Sequence, residues 1–284
     1  MPEVPEEIQS LIAGIPELGG ARPIRQLTGG ETSIKWLLRA ENRQFVLRID
    51  RPIAKVLGLD RRTEAEILKV IGVAGIGPRL VWASPEKGVQ LCTFVDGETW
   101  SLEDARNPAL LSMLAHTLAR LHDLPAVGGR FDPAGAAKRY ADEIATVEAA
   151  ELASRAIRLA EDLDSGDWPL TLCHNDLVHT NLVGRGPVRL IDWEYAAIGD
   201  PCFDLALVIR HHDLAPPLSE RFLAEYAHAG QPVSTSRLRK NGELYDLLAA
   251  LWYQSLILKS GSSPTFQSEY RRVMLRLNDR DRAG

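Results

Sequence analysis

Short apolar runs separated by glycine, proline and polar residues dominate the first third of the chain. Four of these runs are typical of β-strands, and they lie at residues 34–39, 45–49, 80–83 and 89–95. The polar segment 40–44 joins the first two runs and predicts a β-hairpin. Between the two pairs, apolar residues at helical spacing predict a helix at 60–72 with Asp60 as its N-cap. With a further strand ahead of the glycine-rich turn, this part is expected to form a small α+β unit.

Beyond Asp96 the hydrophobic pattern changes to a helical period. Amphipathic stretches predict helices at residues 108–122, 136–163, 218–229 and 243–259, the second being one long helix or a pair. A non-helical island at residues 170–195 lies among them. We therefore predict an α+β protein of two lobes. The β-rich N-terminal lobe covers residues 1–95, and the mainly helical C-terminal lobe covers residues 96–284.

Composition narrows the range of partners. The 284 residues include 33 Lys and Arg against 38 Asp and Glu, a net charge of −5. This charge argues weakly against nucleic acid as a partner, because phosphate backbones are bound by basic surfaces. The three cysteines form no CxxC pair, so neither a disulfide framework nor a zinc site is predicted. With no signal peptide or membrane-length apolar run in view, we expect a cytoplasmic protein without a membrane partner, and the oligomeric state stays open.

Polar residues of the non-helical island stand at the ends of a short predicted hairpin. Apolar runs at 182–183 and 188–191 flank a Gly/Pro turn, with Asn181 before the first run and Asp192 after the second. Because the ends of an antiparallel hairpin meet, Asn181 and Asp192 are expected to be neighbours. Asp176 lies one short loop earlier, so three oxygen-bearing side chains converge. Such oxygen ligands suit Mg²⁺, which keeps phosphate oxygens as further ligands.

The spacing of these residues resembles the catalytic signature of the aminoglycoside phosphotransferase and choline kinase superfamily. His174-x-Asp176-x4-Asn181 is followed by Ile-Asp192-Trp-Glu-Tyr-Ala and then by Gly-Asp-Pro-x-x-Asp204-Leu-Ala. The resemblance implies a bilobal, protein-kinase-like fold and a small-molecule kinase that uses ATP and Mg²⁺. It implies that Asp176 is the catalytic residue, which orients the acceptor hydroxyl and accepts its proton. It assigns Mg²⁺ to Asn181 and Asp192, and support of the catalytic loop to His174 and Asp204.

The same resemblance implies nucleotide contacts in the N-terminal lobe. The residues concerned are Gly29, Gly30, Thr32, Arg48, Glu64 and Phe94. The two glycines and Thr32 match a loop that covers the phosphates, and Phe94 matches the hinge that contacts adenine. Arg48 takes the place of the strand lysine that contacts the α- and β-phosphates. Glu64 is the favoured helix partner of Arg48, with its near neighbour Glu66 as the alternative.

The residues around Asp192 also favour a small acceptor. The phosphate loop lacks the GxGxxG pattern of protein kinases, and no activation segment follows Asp192, which leaves no platform for a protein substrate. Trp193, Tyr195 and Trp252 resemble the aromatic cage in which choline kinases hold a quaternary ammonium group. Glu194, between two of these rings, is expected to point to the opposite face. We therefore predict phosphate transfer to a small cationic alcohol, with choline or ethanolamine favoured.

Other acceptors and other classes stay open at this point. Thiamine kinases share the Ile-Asp-Trp-Glu-Tyr-Ala string, whereas aminoglycoside kinases use more acidic and fewer aromatic residues in the acceptor pocket. Outside the kinases, the alternatives are a nucleotide-binding module without turnover and a metal-dependent hydrolase. The intact Asp176, Asn181 and Asp192 argue against the first, and the lack of a His-rich ligand set argues against the second.

The adjacent His211 and His212 are a further chemical feature of the sequence. Neighbouring side chains on a helix point in different directions and no third ligand is evident, so we predict a surface patch rather than a metal site. His179 lies inside the catalytic loop, where a contact with substrate or nucleotide is the less favoured of its possible roles.

Overall fold

A five-stranded antiparallel sheet forms the N-terminal part of the protein. The structure is a computed structural model that describes residues 5–27, 32–230, 233–260 and 263–281. The strands follow the order β1-β2-β3-β5-β4 across the sheet. They are β1 (Arg22–Leu27), β2 (Ser33–Ala40), β3 (Arg43–Asp50), β4 (Leu80–Ser84) and β5 (Val89–Thr93). Each predicted strand is present close to its predicted bounds, and β5 ends next to the predicted lobe boundary.

The β2–β3 hairpin aligns two basic residues on one face of the sheet. Its two strands are joined through Glu41 and Asn42, since Ala40 pairs with Arg43. Glu41 adopts a left-handed conformation with φ of 52°, which suits such a tight turn. In this register Lys35 of β2 lies directly opposite Arg48 of β3. Because directly opposite residues share a face, both side chains point to the same side of the sheet.

Two apolar cores flank the sheet. On one face, helix α1 (Glu6–Ala13) and the turn after it cover Trp36 and Leu38. On the other face lies helix α3 (Arg61–Val73), which buries Ile67 and Leu68 in the larger core shared with the helical part. The sheet is therefore held to the rest of the molecule through α3.

Capping explains why α3 begins where the sequence predicts. The Asp60 carboxylate accepts hydrogen bonds from the backbone N–H groups of Arg62 and Thr63, at 3.0 and 3.2 Å. These N–H groups would otherwise lack partners in the first turn of the helix. The cap fixes the register of α3, and with it the direction in which Glu64 points.

The C-terminal part is mainly helical. Its helices are α4 (Pro108–His122), α5 (Pro133–Ile144), α6 (Val147–Asp164), α7 (Pro201–His211), α8 (Pro216–His228), α9 (Thr235–Ser260) and α10 (Pro264–Asp281). The short helix α2 (Pro52–Val56) lies in the N-terminal part, between β3 and α3. The stretch 136–163 is a pair, interrupted at Ala145, whose φ of 55° is incompatible with a continuous helix. Helices α2, α7 and α10 are not among those predicted by the hydrophobic pattern. Helix α10 buries Val273 and Leu277 in the larger core, and Phe266, Tyr270 and Met274 pack beside them at helical spacing.

Four short strands form the non-helical island between the helices. They are β6 (Thr171–Cys173), β7 (Leu182–Val183), β8 (Arg189–Leu190) and β9 (Ala197–Gly199). Strand β7 pairs with β8 as the predicted hairpin, and β6 pairs with β9. Helix α7 then starts at Asp200, whose carboxylate caps the N–H group of Cys202 at 2.9 Å. Among the described residues, we find no helix with the length and apolar character needed to cross a bilayer.

Candidate active site

The loop between β6 and β7 is tied down by one buried carboxylate. Asp204, in the first turn of α7, has no solvent exposure. Its two oxygens accept hydrogen bonds from the backbone N–H groups of His174 and Asn175, at 2.8 and 2.7 Å. The Nε2 atom of His122 lies 3.2 Å from the same carboxylate, and its Nδ1 lies 2.8 Å from the Tyr226 hydroxyl. Asp204 therefore sets the start of the loop through the helix that carries it.

His174 links this loop to the end of β8. Its Nε2 donates to the carbonyl of Ile191 at 3.0 Å, while its Nδ1 accepts from the N–H group of Asp176 at 3.3 Å. A carbonyl only accepts, so this pairing requires the neutral tautomer with hydrogen on Nε2. Burial lowers the pKa of His174, in keeping with a neutral ring. The ring also packs on Trp193, with centroids 4.6 Å apart.

Asp176 and Asn181 are in direct contact across the loop. The Asn181 side-chain amide donates to the Asp176 carboxylate at 2.8 Å and to the Asp176 carbonyl at 2.9 Å. Asn175, just before Asp176, has a left-handed backbone with φ of 62°. Burial, with further contributions from Asp192 and Glu194, raises the pKa of Asp176 to about 8. A carboxyl group tuned close to neutrality is suited to proton transfer.

Asp192 reaches the same place from the far end of the hairpin. The N–H group of Ile191 donates to the carbonyl of Asn181 at 3.0 Å, so the two hairpin ends adjoin as predicted. Asp192 itself has a left-handed backbone with φ of 64°. Its carboxylate accepts from the ammonium group of Lys35 at 2.7 Å. Although burial opposes ionisation, the charge of Lys35 and its hydrogen bond outweigh it and lower the pKa of Asp192.

The donor set at this point fits a magnesium ion. Asp192 offers carboxylate oxygen and Asn181 offers amide oxygen, and the Asp176 carboxylate lies next to Asn181. Hard oxygen donors of this kind, together with phosphate oxygens, are the ligands that Mg²⁺ prefers. Asn181 and Asp192 are thus residues that could hold such an ion.

Arg48 and Glu64 form a buried bidentate ion pair. The two guanidinium nitrogens donate to the two carboxylate oxygens at 2.5 and 2.7 Å. The side chains are 6% and 3% exposed, whereas Glu66 is exposed on the other side of α3. The sequence left Glu64 and Glu66 as possible partners of Arg48. In the structure the partner is Glu64. Burial opposes the charge on Arg48, but Glu64 outweighs it and raises the pKa of Arg48.

A second arginine extends this pair into a network. Arg61 donates to Asp50 at 2.8 Å, to Glu64 at 2.9 Å and to Glu194 at 3.1 Å. The Thr32 hydroxyl also donates to Glu194, at 2.9 Å to the nearer oxygen. Burial and the neighbouring Asp192 carboxylate raise the pKa of Glu194 to about 7. We call this network, made up of Arg48, Asp50, Arg61, Glu64 and Glu194, the charged cluster.

Several residues of this region are missing from the predicted site, and Glu194 was expected only to face away from the neighbouring rings. Lys35 is a cation of the site. The β2–β3 register could have indicated it, because the two-residue turn at Glu41 and Asn42 places Lys35 opposite Arg48. Arg61 and Glu194 lie 133 positions apart in the chain and meet only in the folded protein. No local pattern indicates their contact.

A cleft between the sheet and the end of β8 contains the cations. Its lining includes apolar side chains of the sheet and of the segment after β5, among them Leu27, Val46, Phe94 and Val95. Lys35, Arg48 and Asp192 line the same cleft. Phe94 thus lies where the sequence predicts a hinge, beside the cleft. The predicted Gly29 and Gly30 lie outside the described residues.

Aromatic rings gather on the helical side of the catalytic loop. The indole N–H of Trp252 donates to the Tyr195 hydroxyl at 3.3 Å, so two of the three predicted cage residues come together. Tyr253 and Phe266 adjoin them, with ring centroids 5.0 and 6.3 Å from that of Trp252. We call Tyr195, Trp252, Tyr253 and Phe266 the aromatic cluster. Of these four, Tyr253 and Phe266 are absent from the predicted cage. Phe266 lies on α10, which was not predicted, whereas Tyr253 follows Trp252 on a predicted helix.

Trp193 does not join the aromatic cluster. Its ring is 1% exposed, packs against His174 and donates to the carbonyl of Leu190 at 2.9 Å. This placement under the catalytic loop fits a packing role rather than contact with an acceptor. Glu194 points toward Thr32 and Arg61, which agrees with the expectation that it faces away from Tyr195.

Residues 23–240 match the phosphotransferase enzyme family, and the chain belongs to that family. Over 210 residues the chain is 28% identical to protein LicA of Haemophilus influenzae, which covers 70% of this chain and 61% of LicA. It is 29% identical over 163 residues to ethanolamine kinase 2 of Rattus norvegicus, covering 52% of this chain and 42% of that protein. The matches thus span about half of the length of these curated relatives.

A solved structure shares the fold along nearly the whole chain. The choline kinase LicA from Streptococcus pneumoniae superimposes with a TM-score of 0.78 at 21% identity, covering 96% of this chain and 97% of that chain. At this identity the likeness establishes the fold. The predicted α+β, protein-kinase-like architecture is therefore confirmed.

Proposed function

We propose that this protein transfers the γ-phosphate of ATP to the hydroxyl group of a small alcohol. The observation that carries the proposal is the meeting of Asp176, Asn181 and Asp192 beside a cleft lined by Lys35 and Arg48. A carboxyl group of raised pKa, oxygen ligands for a cation and two fixed positive charges are the parts that phosphoryl transfer needs. Membership of the phosphotransferase enzyme family supports the same class of reaction.

The composition of the cleft supports ATP as the phosphate donor. Its apolar lining at Phe94 and Val95 suits the flat face of a nucleobase, while Lys35 and Arg48 line the same cleft and suit phosphate oxygens. Arg48 is fixed by its ion pair with Glu64, so its charge is in place before any ligand arrives. When bound by Asn181 and Asp192, Mg²⁺ would supply positive charge that offsets the phosphate oxygens.

Asp176 is placed to act on the acceptor. Its carboxylate is held by Asn181 and by the loop that His174 and Asp204 anchor. In the proposed reaction the acceptor oxygen forms a bond to the γ-phosphorus, the bond between that phosphorus and the β–γ bridging oxygen breaks, and Asp176 accepts the hydroxyl proton. The protein contributes positioning and electrostatics rather than a covalent intermediate.

We propose choline or ethanolamine as the acceptor. The aromatic cluster offers ring faces near the catalytic loop, and a desolvated cation over such rings gains about 2 kcal/mol. The relatives named ethanolamine kinase and choline kinase support an amino alcohol. Thiamine, also a cationic alcohol, and aminoglycosides are the competing acceptors.

The test is ATP turnover across a set of alcohols. The purified protein would be incubated with ATP, Mg²⁺ and either choline, ethanolamine, thiamine, kanamycin or homoserine. ADP would be followed over time and the phosphorylated product identified by mass spectrometry. We expect phosphocholine or phosphoethanolamine. An Asp176→Asn preparation made in parallel identifies ADP that arises from contaminating kinases.

Each other outcome has a defined meaning. Phosphorylated thiamine or kanamycin would retain the phosphotransferase and replace the proposed acceptor. ADP formation without any phosphorylated alcohol would indicate a hydrolase. Bound ATP with no ADP in any reaction would indicate a nucleotide-binding module, and either of these last two results would overturn the proposal.

A further inference from the structure

Three histidine rings from two distant segments meet beside the catalytic loop. His179 belongs to the single turn His179–Asn181, and His211 and His212 end helix α7. One nitrogen from each ring lies within 4.8 Å of the other two. His212 has no solvent exposure, and His179 and His211 are partly buried. The sequence-based prediction of a surface patch is therefore wrong, because the catalytic loop supplies the third ring that the sequence did not reveal.

Hydrogen bonds around His212 leave a lone pair pointing at no partner. Its Nδ1 lies 2.9 Å from the carbonyl of Val208, and because a carbonyl only accepts, Nδ1 carries the hydrogen. The Nε2 atom is therefore the unprotonated one. It is buried and has no hydrogen-bond partner among the described residues. A buried acceptor of this kind needs an explanation, since native proteins satisfy nearly all such groups.

Each of the other two rings shows one part of this arrangement. His211 is oriented through its Nδ1, which lies 3.0 Å from the Tyr245 hydroxyl. The Nδ1 atom of His179 is buried and, within the described part of the chain, also lacks a partner. In metal sites a ligating histidine commonly uses one nitrogen for the ion and the other for an orienting hydrogen bond. His211 and His212 already have the orienting bond.

The charges around the rings permit a bound cation. Arg272 donates to the carbonyl of His211 at 2.9 Å and Arg106 donates to the carbonyl of His212 at 2.7 Å. Asp213 accepts from Arg272 at 2.5 Å and lies 3.8 Å from Arg106, and Glu269 also accepts from Arg272, so two carboxylates offset the two guanidinium groups. Burial lowers the pKa of His212 to about 4, which agrees with the neutral ring that a metal requires.

We propose that His179, His211 and His212 bind one transition-metal ion of the Zn²⁺ type, separate from the Mg²⁺ site. Imidazole nitrogen suits zinc, and three histidines leave the fourth tetrahedral position for water. At Zn–N distances of about 2.0–2.1 Å the nitrogens would be about 3.3 Å apart. The rings therefore have to approach each other by up to about 1.5 Å, a shift available to His179 on its partly exposed turn.

An ion bound to the three histidines would connect the catalytic loop to helix α7. The turn His179–Asn181 carries both a proposed metal-site histidine and the proposed Mg²⁺ ligand Asn181. Helix α7 carries Asp204 in its first turn and the other two histidines at its end. An ion on the three histidines would therefore join the second half of the catalytic loop to the helix that already anchors its first half. The ion would be a second metal, and its binding would not depend on the proposed reaction.

Metal titration without nucleotide or acceptor tests the site directly. Tag-free protein, stripped with a chelator, would be titrated with ZnCl₂ in excess Mg²⁺ by calorimetry. CoCl₂ would be titrated in parallel, because visible absorption by Co²⁺ reports tetrahedral coordination by imidazole. We expect one equivalent to bind with a tetrahedral Co²⁺ spectrum. His211→Ala and His179→Ala should each weaken binding at least about 30-fold.

The matched control is His116→Ala, which removes an exposed histidine on α4. It should leave both titrations unchanged. Circular dichroism and thermal melting would establish that the variants are folded, and the partly exposed His179 and His211 are chosen so that fully buried His212 need not be altered. Absence of binding above the buffer signal would overturn the proposal. So would binding that His211→Ala and His179→Ala leave intact, because the ion would then lie elsewhere, for example on Asp192.

Discussion

The charged cluster and the aromatic cluster adjoin at the neighbouring residues Glu194 and Tyr195 and are built in opposite ways. In the charged cluster, two arginines and three carboxylates are buried together, and each arginine contacts more than one carboxylate. In the aromatic cluster, neutral rings contact one another edge to face, and one indole-to-phenol hydrogen bond joins two of them. The first is held by directional, charge-assisted bonds and the second by packing.

Because they are built differently, the charged cluster and the aromatic cluster suit different kinds of ligand. A buried ion pair that is already complete holds its geometry before a ligand arrives, which suits a donor whose phosphates must be placed accurately. Ring faces attract a cation and impose less geometry, which suits the proposed small acceptor, whose hydroxyl we propose is positioned by Asp176. Removing one partner of the charged cluster leaves buried charge unpaired, so such a change should affect stability. Changes in the aromatic cluster should affect acceptor affinity.

The largest effect is expected at Asp176, the proposed proton acceptor. Asp176→Asn keeps the contact with Asn181 but removes the proton acceptor, so kcat should fall by about 10³-fold or more. ADP formation at saturating substrates measures it, with a thermal melt to compare folding. Asp123→Asn changes an exposed carboxylate after α4 and should leave kcat unchanged. Full activity in Asp176→Asn would remove this residue from the mechanism.

The second effect tests the charged cluster as a stabilising unit. Glu64→Gln leaves Arg48 and Arg61 buried with less opposing charge, and should lower the free energy of unfolding by roughly 3–5 kcal/mol. Glu66→Gln, two positions away on the exposed side of α3, should change it by less than about 0.5 kcal/mol. Urea unfolding of both variants gives the comparison. Equal effects would show that the ion pair adds nothing beyond an ordinary surface charge.

The third effect tests the aromatic cluster. Trp252→Ala removes a ring and its bond to Tyr195, and should raise the KM for a cationic acceptor by roughly 30-fold with little change for ATP. Trp82→Ala, at a half-buried tryptophan in edge strand β4, serves as the control. Steady-state kinetics in both substrates separates the outcomes. A parallel loss for ATP and acceptor would identify Trp252 as a packing residue.

The smallest expected effect concerns the cation that joins the sheet to Asp192. Lys35→Met removes a charge that lines the cleft and should weaken binding of Mg·ATP by roughly tenfold. Lys69→Met, at an exposed position on α3, should leave the affinity unchanged. Calorimetric titration with a non-hydrolysable ATP analogue measures both. Identical affinities would place the phosphates away from Lys35.

Local signals in the sequence were sufficient for several parts of the protein. Helix α4 has the predicted bounds because Asn107 caps it and Pro108 begins it, both within its first turn. The meeting of Asn181 and Asp192 follows from one short hairpin, and the contact of Asp176 with Asn181 spans five residues. Each of these features depends on hydrogen bonds between residues close together in the chain, so the pattern of residue types was enough to predict them.

Other features were decided by the tertiary structure. The sequence placed Trp193 in one aromatic cage with Trp252. In the structure Trp193 is buried against His174 instead. Lys35 reaches Asp192 across 157 positions, and Arg61 reaches Glu194 across 133. Hydrophobic periodicity and turn residues were enough to predict most helices and strands and the short hairpin, because those depend on neighbouring residues. The catalytic role of the loop was implied only by the resemblance of its motif to a known family. The partners of the buried charges and rings depend on how remote elements pack, and a one-dimensional pattern does not contain that information.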